Sequence, residues 1–124
     1  DEFKLLVINC GTLSLAQCPS FYEQLDAVIF PSYLECFSAV PIEAMIMRKP
    51  LFASDLPFIR DCCLDYCNYF DPTDENAIAL SISRYFKDIP LNERRRKLED
   101  AYGYVMNRFP SGVRAKKYLS MLLE

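Results

Sequence analysis

The chain of 124 residues contains no histidine, and this absence removes several kinds of chemistry. Histidine is the usual general base of enzymes, so a Ser-His or Cys-His nucleophile pair is excluded. Zinc sites usually need histidine or paired Cys-x-x-Cys motifs, and the six cysteines form no such pair. We therefore expect neither a metal site nor a histidine-activated nucleophile.

The six cysteines also do not indicate a disulfide framework, which belongs to smaller secreted scaffolds. Three of them lie close together and three are scattered: Cys62, Cys63, Cys67, and Cys10, Cys18, Cys36. A free cysteine behaves as a small apolar residue. We therefore expect free, mostly buried thiols in a reducing cytoplasm.

Long apolar runs and a strong net charge are missing as well. No run approaches the length of a membrane-spanning helix, and the net charge of -3 gives no reason to expect nucleic acid as a partner. The start at Asp1-Glu2 has no basic or apolar leader and no methionine, so we expect a fragment or a processed chain. With 52% hydrophobic and 25% charged residues, positions 1–124 are predicted to form a single domain with a real core.

The central stretch of the chain carries two carboxylates, Glu35 and Glu43, separated by seven residues. The apolar run Ala27–Phe30 before them predicts a buried strand, and the run Ala44–Met47 after them predicts a helix. Glu35 then follows a strand, and Glu43 lies in the first turn of the next helix. In an open α/β sheet, ligands bind at the carboxyl ends of strands, where helix N-termini point. Both carboxylates are therefore predicted at the rim of such a crevice.

The predicted helix start is suited to a diphosphate and a ribose. Pro41 fits the first helical turn, where a missing N–H costs nothing. The first amides of a helix lack intrahelical acceptors and carry partial positive charge. The amides that can face a diphosphate belong to Phe37, Ser38, Ala39 and Val40. An ionised Glu43 only accepts hydrogen bonds, so it can hold two neighbouring hydroxyls. The alternative is that Glu43 merely favours the helix dipole and Glu35 is solvated.

These residues and their flanks resemble the nucleotide-sugar-dependent retaining glycosyltransferases of the GT-B fold. Within them the resemblance is to the large group that carries a Glu-x7-Glu motif (glycosyl transferases group 1, family 4-like). It runs through Leu25–Ser32, Glu35–Met45, Lys49–Arg60 and Tyr69–Asp74. It implies an α/β fold with a Rossmann-like, mostly parallel sheet flanked by helices. The chain would be the latter part of the C-terminal, nucleotide-sugar-binding domain.

The resemblance also implies a role for each site residue. Glu35, the catalytic residue, would contact the donor sugar near the reacting carbon, and Glu43 would bind the nucleotide ribose. The backbone of residues 37–40 would hold the diphosphate or the sugar. The full enzyme would be a hexosyltransferase-type protein of polysaccharide biosynthesis, which moves a sugar from a nucleotide diphosphate to a glycan, lipid-linked or other acceptor with retention. The family needs no divalent metal, and the sequence has no Asp-x-Asp motif. We expect a cytoplasmic location, with peripheral contact to the inner face of the membrane as an option.

Three departures from the family pattern keep other interpretations open. Cys36, Ser38 and Arg48 stand where glycines are common, and side chains at the first two positions crowd a close backbone approach. Cys36 and Ser38 favour the alternative of a non-catalytic glycosyltransferase-like scaffold or regulatory module. An unrelated doubly wound nucleotide-binding or signalling domain is the third class, but no Gly-rich phosphate loop or acidic receiver pocket supports it. A basic Arg/Lys pair upstream of Asp1 would favour the enzyme.

By the same resemblance, an N-terminal acceptor domain and the opening strands of the donor domain are missing from the chain. The apolar run Phe3–Asn9 predicts a first strand, whose counterpart in the family lies at a sheet edge. Without the strands between them, Leu5–Asn9 and Val28–Phe30 would expose unpaired edges. We expect the isolated chain to dimerise, to exchange strands, or to place Leu5–Asn9 beside Val28–Phe30. We expect it to have no transferase activity by itself.

The rest of the chain predicts short strands and helices. The predicted elements are a helix at Ser20–Leu25, strands at Leu51–Ala53 and Asn68–Phe70, a helix cap at Asp71–Asp74, helices after Asp74 and after Pro90, and a final helix at Val113–Leu123. The turn Ser54–Pro57 either touches ligand or serves turn chemistry. The basic cluster Arg94–Lys97 is either a solvated helix face or a contact for a membrane surface or an anionic acceptor.

Overall fold

A three-stranded parallel sheet lies at the centre of the protein. The computed structural model describes residues 6–36 and 38–109. Strands β1 (Val28–Phe30), β2 (Leu51–Ser54) and β3 (Asn68–Phe70) pair in the order β1-β2-β3. In the two parallel ladders, Val28 lies opposite Leu51 and Phe52 lies opposite Asn68. The predicted fold class, an open Rossmann-like α/β sheet flanked by helices, is therefore confirmed.

Five helices connect and cover the strands in the described part of the chain. They are α1 (Cys18–Glu23), α2 (Val40–Ile46), α3 (Pro57–Cys63), α4 (Glu75–Asp88) and α5 (Leu91–Arg108), with a 3-10 turn at Leu64–Tyr66 after α3. Each of the first three helices has a proline in its first turn. Proline is favoured there because its fixed φ suits a helix and its missing N–H has no intrahelical role.

The central strand β2 is buried on both faces, as its continuous apolar run predicts. Side chains of a strand alternate between faces. One face packs Leu51 and Ala53 against Met45 of α2 and Val105 of α5. The other packs Phe52 against Tyr85 of α4, with ring centroids 5.4 Å apart in an edge-to-face arrangement. Because the three strands run parallel, their carboxyl ends lie at one edge of the sheet.

The predicted cap after β3 is confirmed at Asp74. Its side chain accepts hydrogen bonds from the amides of Asn76 at 2.9 Å and Ala77 at 3.2 Å. These are among the first amides of α4, which have no acceptor within the helix. The cap fixes the start of α4 close to the carboxyl end of β3.

The predicted N-terminal strand is wrong for its described part. Residues 6–9 form no strand, and the side chains of Leu6 and Ile8 are both 83% exposed. An extended segment needs a neighbouring strand for its backbone groups, and among the described residues β1 pairs with β2 alone. The expected pairing of Leu5–Asn9 with β1 is therefore wrong for residues 6–9, the described part of this run. Dimerisation or strand exchange stays a prediction.

Two further differences concern helices. Helix α3 was not predicted, because the sequence from Ser54 to Pro57 was interpreted only as a turn. Ile59 and Cys63 are spaced four residues apart on α3, and both are buried. Together with Pro57 in the first turn, this spacing was a usable helix signal. The predicted final helix Val113–Leu123 lies outside the described residues.

Arg48 adopts a left-handed backbone conformation just after α2, with φ of 52°. This region favours glycine, the residue that is common here in the resembling family. The Arg48 guanidinium bonds the Glu99 carboxylate at 2.7 Å and lies 3.7 Å from the centroid of the Tyr102 ring. The arginine therefore joins the end of α2 to α5.

Candidate functional site

Glu43 lies in the first turn of α2 and is held by a residue of α1. Its Oε2 atom accepts a hydrogen bond of 2.9 Å from the hydroxyl of Tyr22. The Tyr22 side chain is only 8% exposed. Burial and the neighbouring Glu43 carboxylate raise the pKa of Tyr22, so its hydroxyl stays protonated and donates. The two short helices are thereby joined through the carboxylate.

The sequence predicts a helix at Ser20–Leu25 but does not indicate the contact that Tyr22 makes with Glu43. Tyr22 and Glu43 are 21 residues apart, so no local spacing brings them together. The signal available was chemical, because a tyrosine at a buried helix position usually finds a partner for its hydroxyl.

A cavity of about 220 Å³ opens beside this carboxylate. It is lined by Leu15, Cys18, Pro19, Tyr22, Glu43, Ile46 and Met47. The walls are mainly apolar, and Glu43 is the one ionisable carboxylate among these residues. Such a combination of apolar walls and a few placed polar groups is typical of a small-molecule site.

Glu35 lies in the loop that follows β1 and is half-buried. Its Oε1 atom accepts a hydrogen bond of 2.8 Å from the hydroxyl of Ser32. The neighbouring Tyr33 hydroxyl donates to the carbonyl of Pro72 at 2.8 Å, in the loop after β3. The Glu35 loop is therefore attached across the carboxyl edge of the sheet.

The remaining predicted site residues form the start of α2. Ser38 is half-buried, Ala39 is the N-cap residue, and Val40 is the first residue of the helix. Phe37 lies outside the described residues. Ser38 shares a cavity of about 80 Å³ with residues of its own loop, of α2 and of α3, namely Cys36, Pro41, Phe58, Ile59 and Cys62. The amides at this helix start have no acceptor within the helix.

The structure brings these residues to one edge of the sheet but not into one cavity. Glu43 and Ser38 line two different cavities, and Glu35 lines neither of them. The two carboxylates flank the start of α2, since Glu35 precedes it and Glu43 lies within its first turn. A ligand that reached both would have to cross that helix start.

The prediction of free cysteines is confirmed, and the prediction that most are buried is wrong. All six are free, and only Cys63 and Cys67 are buried. Burial raises the pKa of the Cys67 thiol to about 12. The pKa of Cys62 is lowered to about 7, chiefly by hydrogen bonding from the neighbouring Cys63 thiol, with a contribution from Arg108. Within the described residues, no group of three or more His, Cys, Asp or Glu side chains could hold a metal ion.

In the turn after β2, Asp55 has structural partners. Ser54 is completely buried, and its hydroxyl has no hydrogen-bond partner in the described part of the chain. The Asp55 carboxylate accepts two hydrogen bonds from Arg60, including one of 2.8 Å from Nη2 to Oδ2. Arg60 also lies 4.2 Å from the centroid of the Tyr69 ring, and its hydrogen bonds lower the pKa of Asp55. These contacts favour the turn interpretation over contact with ligand.

The basic cluster Arg94–Lys97 on α5 contacts residues of the same helix and of α4. Arg96 pairs with Asp100 at 3.9 Å, and Lys97 pairs with Glu93 at 4.0 Å, each one helical turn apart. Arg94 lies 5.7 Å from the centroid of the Tyr85 ring. This arrangement fits a solvated helix face. Among the described helices, none combines the length and the apolar character needed to cross a bilayer.

Comparison with known proteins identifies a family and a relative. The family described as Glycosyl transferases group 1 matches residues 7–102. The O-antigen chain mannosyltransferase RfbU of Salmonella typhimurium (strain LT2) is 31% identical over 76 residues. That alignment covers 61% of this chain and 22% of the relative, so the chain spans less than a quarter of that protein. The family match includes the whole sheet and the stretch from Glu35 to Glu43, and the chain belongs to the group 1 glycosyltransferases.

Proposed function

We propose that these residues are the nucleotide-sugar-binding part of a retaining glycosyltransferase. The full-length protein would transfer a sugar from a nucleotide diphosphate to a glycan, lipid-linked or other acceptor. One observation carries the proposal: Glu43 lies at the start of α2 with Oε2 bonded to Tyr22, while Oε1 has no hydrogen-bond partner in the described part of the chain. Membership of the group 1 glycosyltransferases supports it.

In this proposal, three adjacent features each bind one part of the nucleotide-sugar donor. Ribose hydroxyls donate to Glu43, because an ionised carboxylate only accepts. The diphosphate lies against the backbone of residues 37–40, where helix amides favour negative charge. The sugar reaches Glu35, on the other side of that helix start.

Charge that builds on the departing diphosphate is offset by the same amides. Basic groups from outside these 124 residues would complete this stabilisation, and an N-terminal domain would hold the acceptor. No metal takes part in the proposed reaction. Residues 1–124 would form the latter part of the nucleotide-sugar-binding domain of that protein.

A non-catalytic scaffold or regulatory module is the second candidate, and the small cavity at the start of α2 favours it. Cys36 and Ser38 line this cavity together with Phe58 and Cys62 of α3. Both positions carry side chains where the donor diphosphate would need a close backbone approach. Loss of donor binding with an intact fold is what this candidate predicts.

The test replaces Glu43 by glutamine in the full-length protein that carries these residues. Calorimetric titration with nucleoside diphosphates should show binding weakened by about 1–3 kcal/mol, because a hydrogen bond to a charged group is replaced by a weaker one. The matched control is Glu75→Gln, which removes an exposed carboxylate from the first turn of α4. Unchanged affinity for Glu43→Gln, at an unchanged unfolding temperature, would refute the ribose assignment.

A further inference from the structure

The hydroxyl of Tyr22 makes a contact that helix packing alone does not require. The Tyr22 ring belongs to the core that includes Ala44 and Met45 of α2. Its hydroxyl reaches the Glu43 carboxylate at 2.9 Å. A hydrogen bond from a neutral donor to a carboxylate is stronger than one between neutral groups. The contact therefore restrains a glutamate side chain that otherwise rotates about three bonds.

The position of α1 has a second, independent support. The Lys49 ammonium donates to the carbonyl of Glu23 at 2.9 Å and to that of Leu25 at 2.8 Å. These bonds tie the end of α1 to the start of β2. Removal of the Tyr22 hydroxyl should therefore leave α1 in place, because the ring and the lysine contacts remain.

The walls around Glu43 offer little else to orient it. In the cavity beside it, Ile46 and Met47 supply apolar surface, and the Cys18 thiol already donates to the carbonyl of Ser14 at 3.4 Å. Tyr22 is the side-chain donor to Glu43 in the described part of the chain. A half-buried carboxylate without that donor would lose a compensating hydrogen bond and its fixed orientation.

We propose that Tyr22 is a positioning residue that holds one oxygen of Glu43, so that the other oxygen is presented to the vicinal diol of a ribose. This inference rests on the proposed function and deepens it. According to this inference, Tyr22 of α1 and Glu43 of α2 together determine the preference for ribose over deoxygenated sugars. The Tyr22 hydroxyl is engaged by Glu43, so its effect on the ribose is expected to pass through Glu43.

The experiment is a double-mutant cycle in the full-length protein. Tyr22→Phe, Glu43→Gln and the double variant are titrated with uridine, guanosine and adenosine 5′-diphosphates, and the tightest binder is then compared with its 2′,3′-dideoxy analogue. The ratio of the two affinities within one variant does not depend on the fraction of protein that is folded. The matched control is Tyr104→Phe, since the Tyr104 hydroxyl donates to the Cys62 carbonyl at 3.0 Å, far from Glu43 along the chain.

The positioning role predicts that Tyr22→Phe weakens binding of the ribonucleotide about threefold to tenfold. Binding of the dideoxy analogue should not change, and Tyr22→Phe should have no further effect in the Glu43→Gln protein. Equal weakening for both ligands, an effect that persists without the Glu43 carboxylate, or no effect would each overturn the inference while leaving the Glu43 assignment intact. Absence of nucleotide binding, or no effect of Glu43→Gln, would overturn the proposed function and this inference together.

Discussion

At the residue scale, the two carboxylates have different neighbours and different expected effects on catalysis. Glu35 accepts from Ser32 within its own loop, whereas Glu43 accepts from Tyr22 on another helix. A residue that contacts the sugar near the reacting carbon should matter more in the transition state than in the binding of the free nucleotide.

Glu35→Ala in the full-length protein should therefore reduce turnover by roughly 100-fold, the scale for losing one electrostatic contact to the transition state. Affinity for the nucleoside diphosphate should stay within about twofold, since that ligand lacks the sugar. Steady-state rates and calorimetry on the same preparation separate the two quantities. Ser32→Ala is the control that removes the orienting hydroxyl and keeps the carboxylate. An equal loss of rate and nucleotide affinity, or of neither, would contradict the role of Glu35.

Leu64 carries the second strained backbone among the described non-glycine residues, with φ of 48° and ψ of -128°. Glycine adopts this conformation without a steric penalty, and the Leu64 side chain is 45% exposed. Leu64→Gly should therefore raise the free energy of unfolding by about 1 kcal/mol relative to Leu64→Ala, which keeps the strain. Urea unfolding of the two variants measures the difference. A glycine variant no more stable than the alanine variant would show that the strain is absent.

At the element scale, the cap of α4 is the clearest local determinant of structure. Asp74→Ala removes the acceptor of two amides and should lower the free energy of unfolding by about 1 kcal/mol. Asp74→Asn keeps a side-chain oxygen that can accept and should cost much less. Thermal or urea unfolding of both variants tests this. Equal destabilisation by alanine and asparagine would mean that the aspartate acts through its charge rather than as a cap.

Local patterns predicted the elements whose signals lie within a few residues. The apolar runs located the three strands, and Asp74 and Pro90 marked the starts of the two long helices. The N-terminal run failed over residues 6–9, because an apolar sequence does not make a strand without a partner. Helix α3 was missed because Ser54–Pro57 was interpreted as a turn, although Pro57 and the buried residues Ile59 and Cys63 carried a helix signal.

The candidate site was predictable in its positions and not in its contacts. The interval between Glu35 and Glu43 placed one carboxylate after β1 and the other in the first turn of α2, as the structure has them. The Tyr22 contact depends on how α1 packs against α2, which no local pattern specifies. The separation of Ser38 and Glu43 into two cavities likewise depends on where α3 lies.

At the scale of the whole molecule, the site is assigned by chemistry rather than by cavity size. A larger cavity, of about 450 Å³, lies between β3 and α4 and includes Asp71, Ser81 and Arg84. Neither Glu35 nor Glu43 lines it. The cavity at Glu43 is about half as large and lies between α1 and α2, and Glu43 lines it from the first turn of α2, a helix that starts at the carboxyl edge of the sheet. This is where ligands bind in open α/β folds.

The central claim is that a nucleotide binds across the start of α2 with its ribose on Glu43. The most direct measurement is a crystal structure of the full-length protein with a bound nucleoside diphosphate. We expect the ribose hydroxyls within hydrogen-bond distance of the Glu43 carboxylate, the diphosphate against residues 38–40, and the Tyr22–Glu43 bond intact. A nucleotide bound in the cavity between β3 and α4, or a ribose that points away from Glu43, would contradict the claim.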